Sequence, residues 1–184
     1  MNEIVWIDDL AQCFEEIDAT QKIYLDTNTA EFVFVPANQE EWEEYNQEDQ
    51  DLFYEIDALK QYLPLPNQKE LKEYDIMEDY ASGCANYGYQ KRLLFALKNG
   101  KPFRNFRAQI RLLNLEEDYN HYRYMIYCAK ARTWCMERNI PYDVDNEEVK
   151  EYLREIEEDE KLEKDLEDFE DSYDEFTYED NDYE

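Results

Sequence analysis

The feature that most constrains the fold is a basic stretch, residues 87–139, inside a strongly acidic chain. It holds 11 Lys and Arg against four Asp and Glu, a balance of +7, whereas residues 1–86 and 140–184 each carry −18. The whole chain has a formal net charge of −29. Apolar side chains recur through the stretch at spacings of three and four, the period of an amphipathic helix. The pattern therefore predicts a basic helical centre between two acidic arms.

Turn-forming residues are scarce. The 184 residues contain only 3 Gly and 5 Pro, which disfavours a sheet-rich fold built on tight turns. Bulky core material is available from 17 Tyr and 9 Phe. After Pro141 the composition shifts to a run of charges. We therefore expect a compact, mainly helical domain over residues 1–141 and an acidic amphipathic extension over residues 142–184.

The N-terminal arm predicts a helix followed by a hairpin. Residues 4–18 have the apolar spacing of a helix. Residues 23–25 and 32–35 are β-branched and aromatic runs on either side of an Asx-rich turn, a pattern typical of a β-hairpin. Pro36 ends the second run because proline cannot extend a strand ladder.

The acidic segment that follows predicts a second helix and a break. Residues 38–50 fit a helix that Asn38 caps, with Glu41 as its capping-box partner. Residues 52–56 fit either a short strand or a helical turn. The prolines in residues 62–66 predict a break, since a residue before proline avoids the helical region.

The basic centre predicts consecutive helices. One is capped by Asn67 with Glu70 and extends to about residue 81. A second covers residues 90–98, with Asn99-Gly100 as its C-cap, and Pro102 opens a third. A long helix then runs from residue 116 to residue 138, and apolar residues occupy most of its circumference, which predicts a central position.

The acidic extension predicts a helix to about Asp168 and disorder beyond it. Taken together, these patterns predict an α+β fold that is mainly α-helical. A small β-hairpin near the N-terminus packs on a helical bundle, and an acidic C-terminal helix and tail follow.

Four short motifs resemble those of a bacterial family known by its serial label, uncharacterised protein family (UPF) zero-one-five-eight. They are Tyr24-Leu25-Asp26, YDIMED at residues 74–79, GKPFRNF at residues 100–106 and the aromatic- and Arg-rich residues 122–134. The resemblance covers about residues 4–141. One departure is the hairpin turn, where Thr29-Ala30 stands in place of the expected glycine. The resemblance implies an α+β, mainly helical domain and no assigned activity.

The chain lacks the residue patterns of the common catalytic and metal sites. It has one His and no paired Cys, so a structural zinc site is not expected, and no EF-hand pattern occurs. His121 and Cys128 lie seven residues apart on one helix, about 10 Å along its axis, which is too far for a catalytic dyad. Phosphate-binding glycine loops are absent. We expect no cofactor and no catalytic residue; a small hydrolase that uses paired carboxylates is the least favoured alternative.

The N-terminal residues lack the apolar core of a leader peptide, and no window approaches the roughly 20 apolar residues of a membrane span. The four cysteines are scattered, as expected of free thiols in a reducing compartment. These features predict a cytosolic protein with no membrane partner.

The remaining candidate site is a cationic surface. Arg104, Arg107 and Arg111 follow one helical face, and Arg123 and Lys130 follow the next helix; these five residues are the predicted anion-facing surface. Two other interpretations stay open. The arginines pair internally with the acidic arms, or the acidic tail covers the basic face and competes with an outside anion.

We therefore expect a non-enzymatic interaction or regulatory protein with a macromolecular partner, either a basic protein or a nucleic acid. The alternative is that the carboxylates imitate a nucleic acid and bind a basic protein partner.

Overall fold

The computed structural model describes the backbone of residues 3–177 and the side chains of residues 3–166. The architecture is α+β and mainly α-helical, which confirms the predicted class. The chain divides into two units, Met1–Asp145 and Asn146–Glu184. The first unit runs past the predicted boundary at residue 141 because Tyr142–Asp143 pairs in parallel with Val5–Trp6.

The first unit contains seven of the described helices and all five described strands. Its helices are α1 (Ile7–Glu16), α2 (Gln47–Glu55), α3 (Gln68–Leu71), α4 (Glu73–Gly83), α5 (Tyr87–Leu97), α6 (Pro102–Leu112) and α7 (Glu116–Glu137). Its strands are β1 (Val5–Trp6), β2 (Gln21–Asp26), β3 (Phe32–Pro36), β4 (Tyr62–Pro64) and β5 (Tyr142–Asp143). Short 3₁₀ helices cover Gln39–Glu44 and Ile56–Ala58.

The predicted hairpin is confirmed, and it belongs to a larger sheet. Strands β2 and β3 pair antiparallel with Ile23 opposite Phe34. On its other side β2 pairs with β4, which places Leu25 opposite Leu63. The sequence prediction of a break at residues 62–66 missed this third strand. The extended conformation that proline imposes on the preceding residue suits an edge strand equally well.

The hairpin turn passes through Ala30, near the position where a glycine was expected. Ala30 has φ +56°, in the left-handed region that favours glycine. The turn is held by the Asp26 carboxylate, which accepts a hydrogen bond from the backbone N–H of Asn28 at 2.8 Å. The backbone N–H of Ala30 donates to the Asp26 carbonyl at 2.8 Å.

Hydrophobic clusters within the described residues build the core. One joins α4, α5, α6 and the start of α7 through buried apolar side chains: Met77, Tyr80, Ala81, Leu93, Leu97, Phe106, Ile110, Leu113 and Tyr119. Another packs the sheet against the 3₁₀ segments and α2 through Tyr24, Val35, Trp42, Phe53 and Ile56. Helix α1 packs on α7, where the rings of Phe14 and Tyr127 meet edge to face at 6.3 Å. The central position predicted for α7 is confirmed, since it contacts α1, α4 and α6.

The predicted helix from Asn67 to residue 81 is interrupted. Asn67 and Glu70 form the expected capping box, but α3 ends at Leu71, and the next residue, Lys72, has a left-handed φ of +54°. A new helix, α4, begins at Glu73. The Glu73 side chain at this break is only 9 % exposed.

The predicted helix over residues 38–50 is also split. Asn38 caps a 3₁₀ helix by accepting from the N–H of Glu40, so the expected capping box with Glu41 does not form. The α-helix starts later, where Asn46 accepts from the N–H of Asp49 at 3.0 Å. Residues 52–55 therefore belong to α2 and are helical.

The connection between α5 and α6 differs from the predicted glycine cap. No described glycine has a positive φ; instead Lys101 has φ +105°. Pro102 follows at once as the first residue of α6.

The second unit is helix α8, Glu147–Thr177. Asn146 caps it by accepting from the N–H of Glu148 at 2.9 Å. The helix continues past Asp168, where the sequence predicted disorder. It follows an apolar spacing of three and four that persists through Leu162, Leu166 and Phe169. The rest of the predicted tail, residues 178–184, lies outside the described residues.

Candidate interaction surface

The five predicted anion-facing residues lie in three different surroundings. Helix α6 carries Arg104, Arg107 and Arg111, and α7 carries Arg123 and Lys130. The structure brings Arg107 and Arg123 together on one buried carboxylate. Arg104 and Arg111 belong to an exposed helical hairpin, and Lys130 lines a groove elsewhere on α7.

The buried carboxylate is Glu73. Its Oε1 atom lies 3.1 Å from Nη2 of Arg107 and 3.6 Å from Nη1 of Arg123. Arg123 also donates to Glu15 at 3.0 Å, and its guanidinium lies 5.5 Å from the ring centre of Tyr127. These contacts link α1, α4, α6 and α7. For Arg107 and Arg123 the structure therefore shows internal pairing with the N-terminal acidic arm.

The surroundings of this cluster fix its protonation. Burial lowers the pKa of Arg123, but the hydrogen bond with Glu15 and nearby negative charge outweigh it, so the pKa is raised. Burial, reinforced by Glu73, raises the pKa of Tyr127 to about 12. At neutral pH a charged Arg123 guanidinium therefore lies beside a neutral Tyr127 phenol. The cluster acts as a junction between helices.

Helices α5 and α6 form the basic hairpin, defined here as residues 87–112. The four-residue connection between them makes them antiparallel neighbours. Between Tyr87 and Leu115 the chain has seven Lys and Arg and no Asp or Glu. The Nε atom of Arg92 on α5 donates to Oε1 of Gln109 on α6 at 3.1 Å, across the two helices. No other stretch without Asp or Glu in this net acidic chain holds as many Lys and Arg.

Most cations of the basic hairpin lack a carboxylate partner. Arg107 pairs with Glu73 and Arg111 pairs with Glu116 at 3.3 Å, an exposed contact. The other five make no ion pair with any side chain that the structure describes: Lys91, Arg92, Lys98, Lys101 and Arg104. Their charge is available to a partner.

Large apolar side chains lie exposed on the same two helices. Phe95 and Leu112 are each 68 % exposed, Tyr87 is 73 % exposed and Phe103 is 42 % exposed. On α5, Tyr87, Lys91, Phe95 and Lys98 follow one another at spacings of four, four and three, so they share a helical face. A surface that mixes unpaired cations with exposed apolar groups is suited to binding an amphipathic anion.

All four cysteines are free, and three of them are buried. Burial raises the pKa of Cys13, Cys128 and Cys135 to about 12, so they are protonated at neutral pH and weakly nucleophilic. Among residues 3–166, no group of three or more His, Cys, Asp and Glu side chains is arranged to hold a metal ion.

Sequence reasoning missed Glu15 and Glu73, the partners that hold Arg107 and Arg123. Glu73 stands among many acidic residues, and nothing in its type marks it as buried, although it lies four residues before the buried Met77 on the same face of α4. Glu15 and Arg123 are 108 residues apart, a separation that no local pattern spans.

Among the described helices, none is both long and apolar enough to span a membrane. Comparisons with protein-family models, curated proteins and solved structures found no match to this chain. The resemblance to the uncharacterised family stays a prediction.

Proposed function

We propose that this chain is a non-enzymatic, cytosolic interaction protein that binds an acidic segment of another protein through the outer face of the basic hairpin. The observation that carries the proposal is the coincidence of five unpaired cations with exposed Phe95, Phe103 and Leu112 on two adjacent helices. Four free cysteines support the cytosolic location, where thiols stay reduced.

Charge favours an anionic partner at this place. The hairpin contains seven Lys and Arg and no Asp or Glu that could neutralise them locally. Arg107 and Arg111 already have carboxylates, so the anion-binding role falls on Arg104 together with Lys91, Lys98 and Lys101. Complementary charge on a partner would steer its approach and fix its orientation.

The apolar residues favour a protein partner over a nucleic acid. Bases stack on aromatic rings, but Leu112 offers no stacking surface and is 68 % exposed. An acidic segment with its own apolar side chains meets both the cations and the exposed Phe95, and it can bury apolar area that a phosphate backbone cannot.

The test uses the full chain and three labelled probes in fluorescence anisotropy over a salt series. Poly(Glu,Tyr) supplies carboxylates with apolar groups, poly-Glu supplies carboxylates alone, and oligothymidylate supplies phosphates with stacking bases. We expect the tightest binding to poly(Glu,Tyr). The triple charge reversal Lys98→Glu, Lys101→Glu and Arg104→Glu should weaken it by about tenfold or more, because three attractive contacts become repulsive.

A matched variant controls for net charge. Lys22→Glu, Lys60→Glu and Lys69→Glu make the same change in total charge outside both the hairpin and the acidic extension, at exposed positions. Equal losses in both triple variants would show that binding follows net charge and would refute the site. Preferred binding of oligothymidylate would refute the acidic-protein partner and identify the hairpin as a nucleic-acid surface.

A regulatory role for the acidic extension is part of the proposal. A chain that ends at Glu157 lacks 15 acidic and two basic residues. If the extension competes with the partner for the basic hairpin, this shorter chain binds poly(Glu,Tyr) more tightly, and a peptide of residues 158–184 added separately reverses the gain. A scrambled peptide of the same composition should inhibit poly(Glu,Tyr) binding less than the native peptide. Equal inhibition by the two peptides would show that only the total charge of the extension matters.

A second candidate, the nucleic-acid mimic, rests on the regular carboxylates of α8. Within the described side chains, every fourth residue from Glu147 to Glu163 is acidic and exposed, at Glu147, Glu151, Glu155, Asp159 and Glu163. Four residues of helix advance about 6 Å, so the carboxylates form an evenly spaced row. The triple substitution of Glu151, Glu155 and Asp159 by Gln or Asn should weaken binding of a polylysine probe. Unchanged binding would exclude the row as a docking strip.

A further inference from the structure

A groove beside helix α7 is separate from the basic hairpin and independent of the function proposed for it. It has a volume of about 1000 Å³. Its walls come from the end of α1, from β2, from the segment after β4, from α3 and from the outer side of α7 around Lys130 and Trp134. This volume suits a small organic molecule.

The groove contains seven charged side chains, and six of them already have a partner. Those contacts are the ion pairs Lys22–Asp57 and Arg138–Glu137, the hydrogen bond from Thr20 to Asp18, and the hydrogen bond from the backbone N–H of Asn67 to Glu70. Asp57 also accepts from the Tyr24 hydroxyl at 2.7 Å. The acids that line the groove are therefore turned to groups of the protein itself.

Lys130 is the seventh charged side chain of the groove. It makes no ion pair with any side chain described in residues 3–166, although it is partly buried. Burial lowers its pKa, as does Lys72, while Asp75 and Asp79 raise it. Burial has removed part of the water around the Lys130 ammonium, and no described side chain forms an ion pair with it. An anion from outside the protein would supply the missing contacts.

The rest of the lining is largely apolar. Ile17, Ile23, Leu65 and Ile126 line the groove together with the buried ring of Trp134. The guanidinium of Arg138 lies 4.7 Å from the centre of that ring, which fixes the indole in place. A ligand that fits must therefore offer an apolar body beside its single charge.

We propose that the groove binds a small amphipathic monoanion, an organic carboxylate whose head group pairs with Nζ of Lys130 and whose aliphatic or aromatic body lies against Ile126 and Trp134. No covalent step is involved. The unpaired cation sets the sign of the ligand, and the apolar walls select against inorganic anions such as phosphate.

Isothermal titration calorimetry of the full chain with decanoate, 4-phenylbutyrate and inorganic phosphate tests the site. We expect at least one of the two carboxylates to bind and phosphate not to bind. Lys130→Met should weaken carboxylate binding by at least about tenfold, because it removes the charge-assisted hydrogen bond. Lys130→Arg should keep most of it, and 1-decanol should bind Lys130→Met as well as it binds the unchanged chain.

Lys22→Met is the matched control, since Lys22 lies in the same groove but already pairs with Asp57. It should change carboxylate affinity by less than about threefold, because it is an exposed ion-paired residue. Circular dichroism checks that each variant is folded. Absence of carboxylate binding to the unchanged chain, or equal binding to Lys130→Met, would overturn the proposal.

Discussion

Nη2 of Arg107 lies 3.1 Å from Oε1 of Glu73, a carboxylate whose side chain is only 9 % exposed. This contact joins the first turn of α4 to α6, and Arg123 of α7 reaches the same oxygen at 3.6 Å. The relationship converts two of the predicted anion-binding arginines into parts of the framework. It also makes Glu73 the carboxylate on which we expect the fold to depend most.

Glu73→Gln is expected to lower the free energy of unfolding by about 3 kcal/mol, because it leaves the half-buried Arg123 without one of its two counter-ions. The control is Glu116→Gln, the same chemical change in an exposed pair with Arg111, which should cost at most about 1 kcal/mol. Urea unfolding followed by circular dichroism measures both. Equal losses in the two variants would contradict a special role for Glu73.

The backbone of the link between α5 and α6 predicts the effect of two substitutions, one to glycine and one from glycine. Lys101 has φ +105°, so Lys101→Gly should relieve backbone strain and raise stability by up to about 1 kcal/mol. Gly100 does not have a positive φ, and a Cβ placed on it meets no atom within 4 Å. Gly100→Ala should therefore be neutral or stabilising by about 0.5 kcal/mol. Loss of stability on Lys101→Gly in thermal unfolding would refute the assigned backbone conformation.

The carboxylate row on α8 predicts a charge effect that depends on position. Glu155→Lys replaces two like-charge contacts, with Glu151 and Asp159, by two opposite-charge ones, each worth about 0.3 to 0.5 kcal/mol. Helix content should rise, and proteolysis of α8 should slow.

Glu157→Lys is the matched control for that change. It alters the net charge equally but places a cation four residues before Lys161, so it should leave helix content unchanged or lower it. Equal gains in the two variants would show that net charge alone, and no regular row, governs this helix.

Stability is expected to fall in alkaline solution because of the buried thiols. Burial raises the pKa of Cys13, Cys128 and Cys135 from 9.0 to about 12 in the folded chain. Below about pH 9 both folded and unfolded states hold these protons, so the stability is fully present. Between about pH 9 and pH 12 the unfolded state loses them first, and the free energy of unfolding decreases.

Urea unfolding under reducing conditions at about pH 8 and about pH 10.5 measures this decline. The variant Cys128→Ala should show a shallower decline, because one buried thiol no longer contributes to it. A free energy of unfolding that stays constant over this interval would contradict the burial of the thiols.

Local sequence patterns were sufficient to predict most of the helices and strands. The helix at α7, the hairpin of β2 and β3, the Asn67 capping box and the start of α6 at Pro102 all follow from short-range preferences that the structure confirms. The prediction was wrong where a contact between residues far apart in the sequence determines the local structure. Strand β4 exists because β2 offers it a partner, and β1 pairs with β5 across almost the whole first unit.

The candidate site divides in the same way. The basic hairpin, its charge and the absence of acidic residues in it are properties of consecutive residues, and so they are visible in the sequence. Which of its cations are available depends on what lies opposite them. Arg107 is held by Glu73, 34 residues away, whereas Arg104 on the same helix makes no ion pair with any described side chain.

The sequence by itself therefore determined the helical class, the hairpin and the separation of charge, because periodicity, turn chemistry and net charge are set by near neighbours. Only the tertiary structure decided that Glu73 is buried, that Arg107 and Arg123 converge on it and that Lys130 faces a groove without a partner. Desolvation and ion pairing act between groups a few ångströms apart in space, and chain separation does not predict that distance.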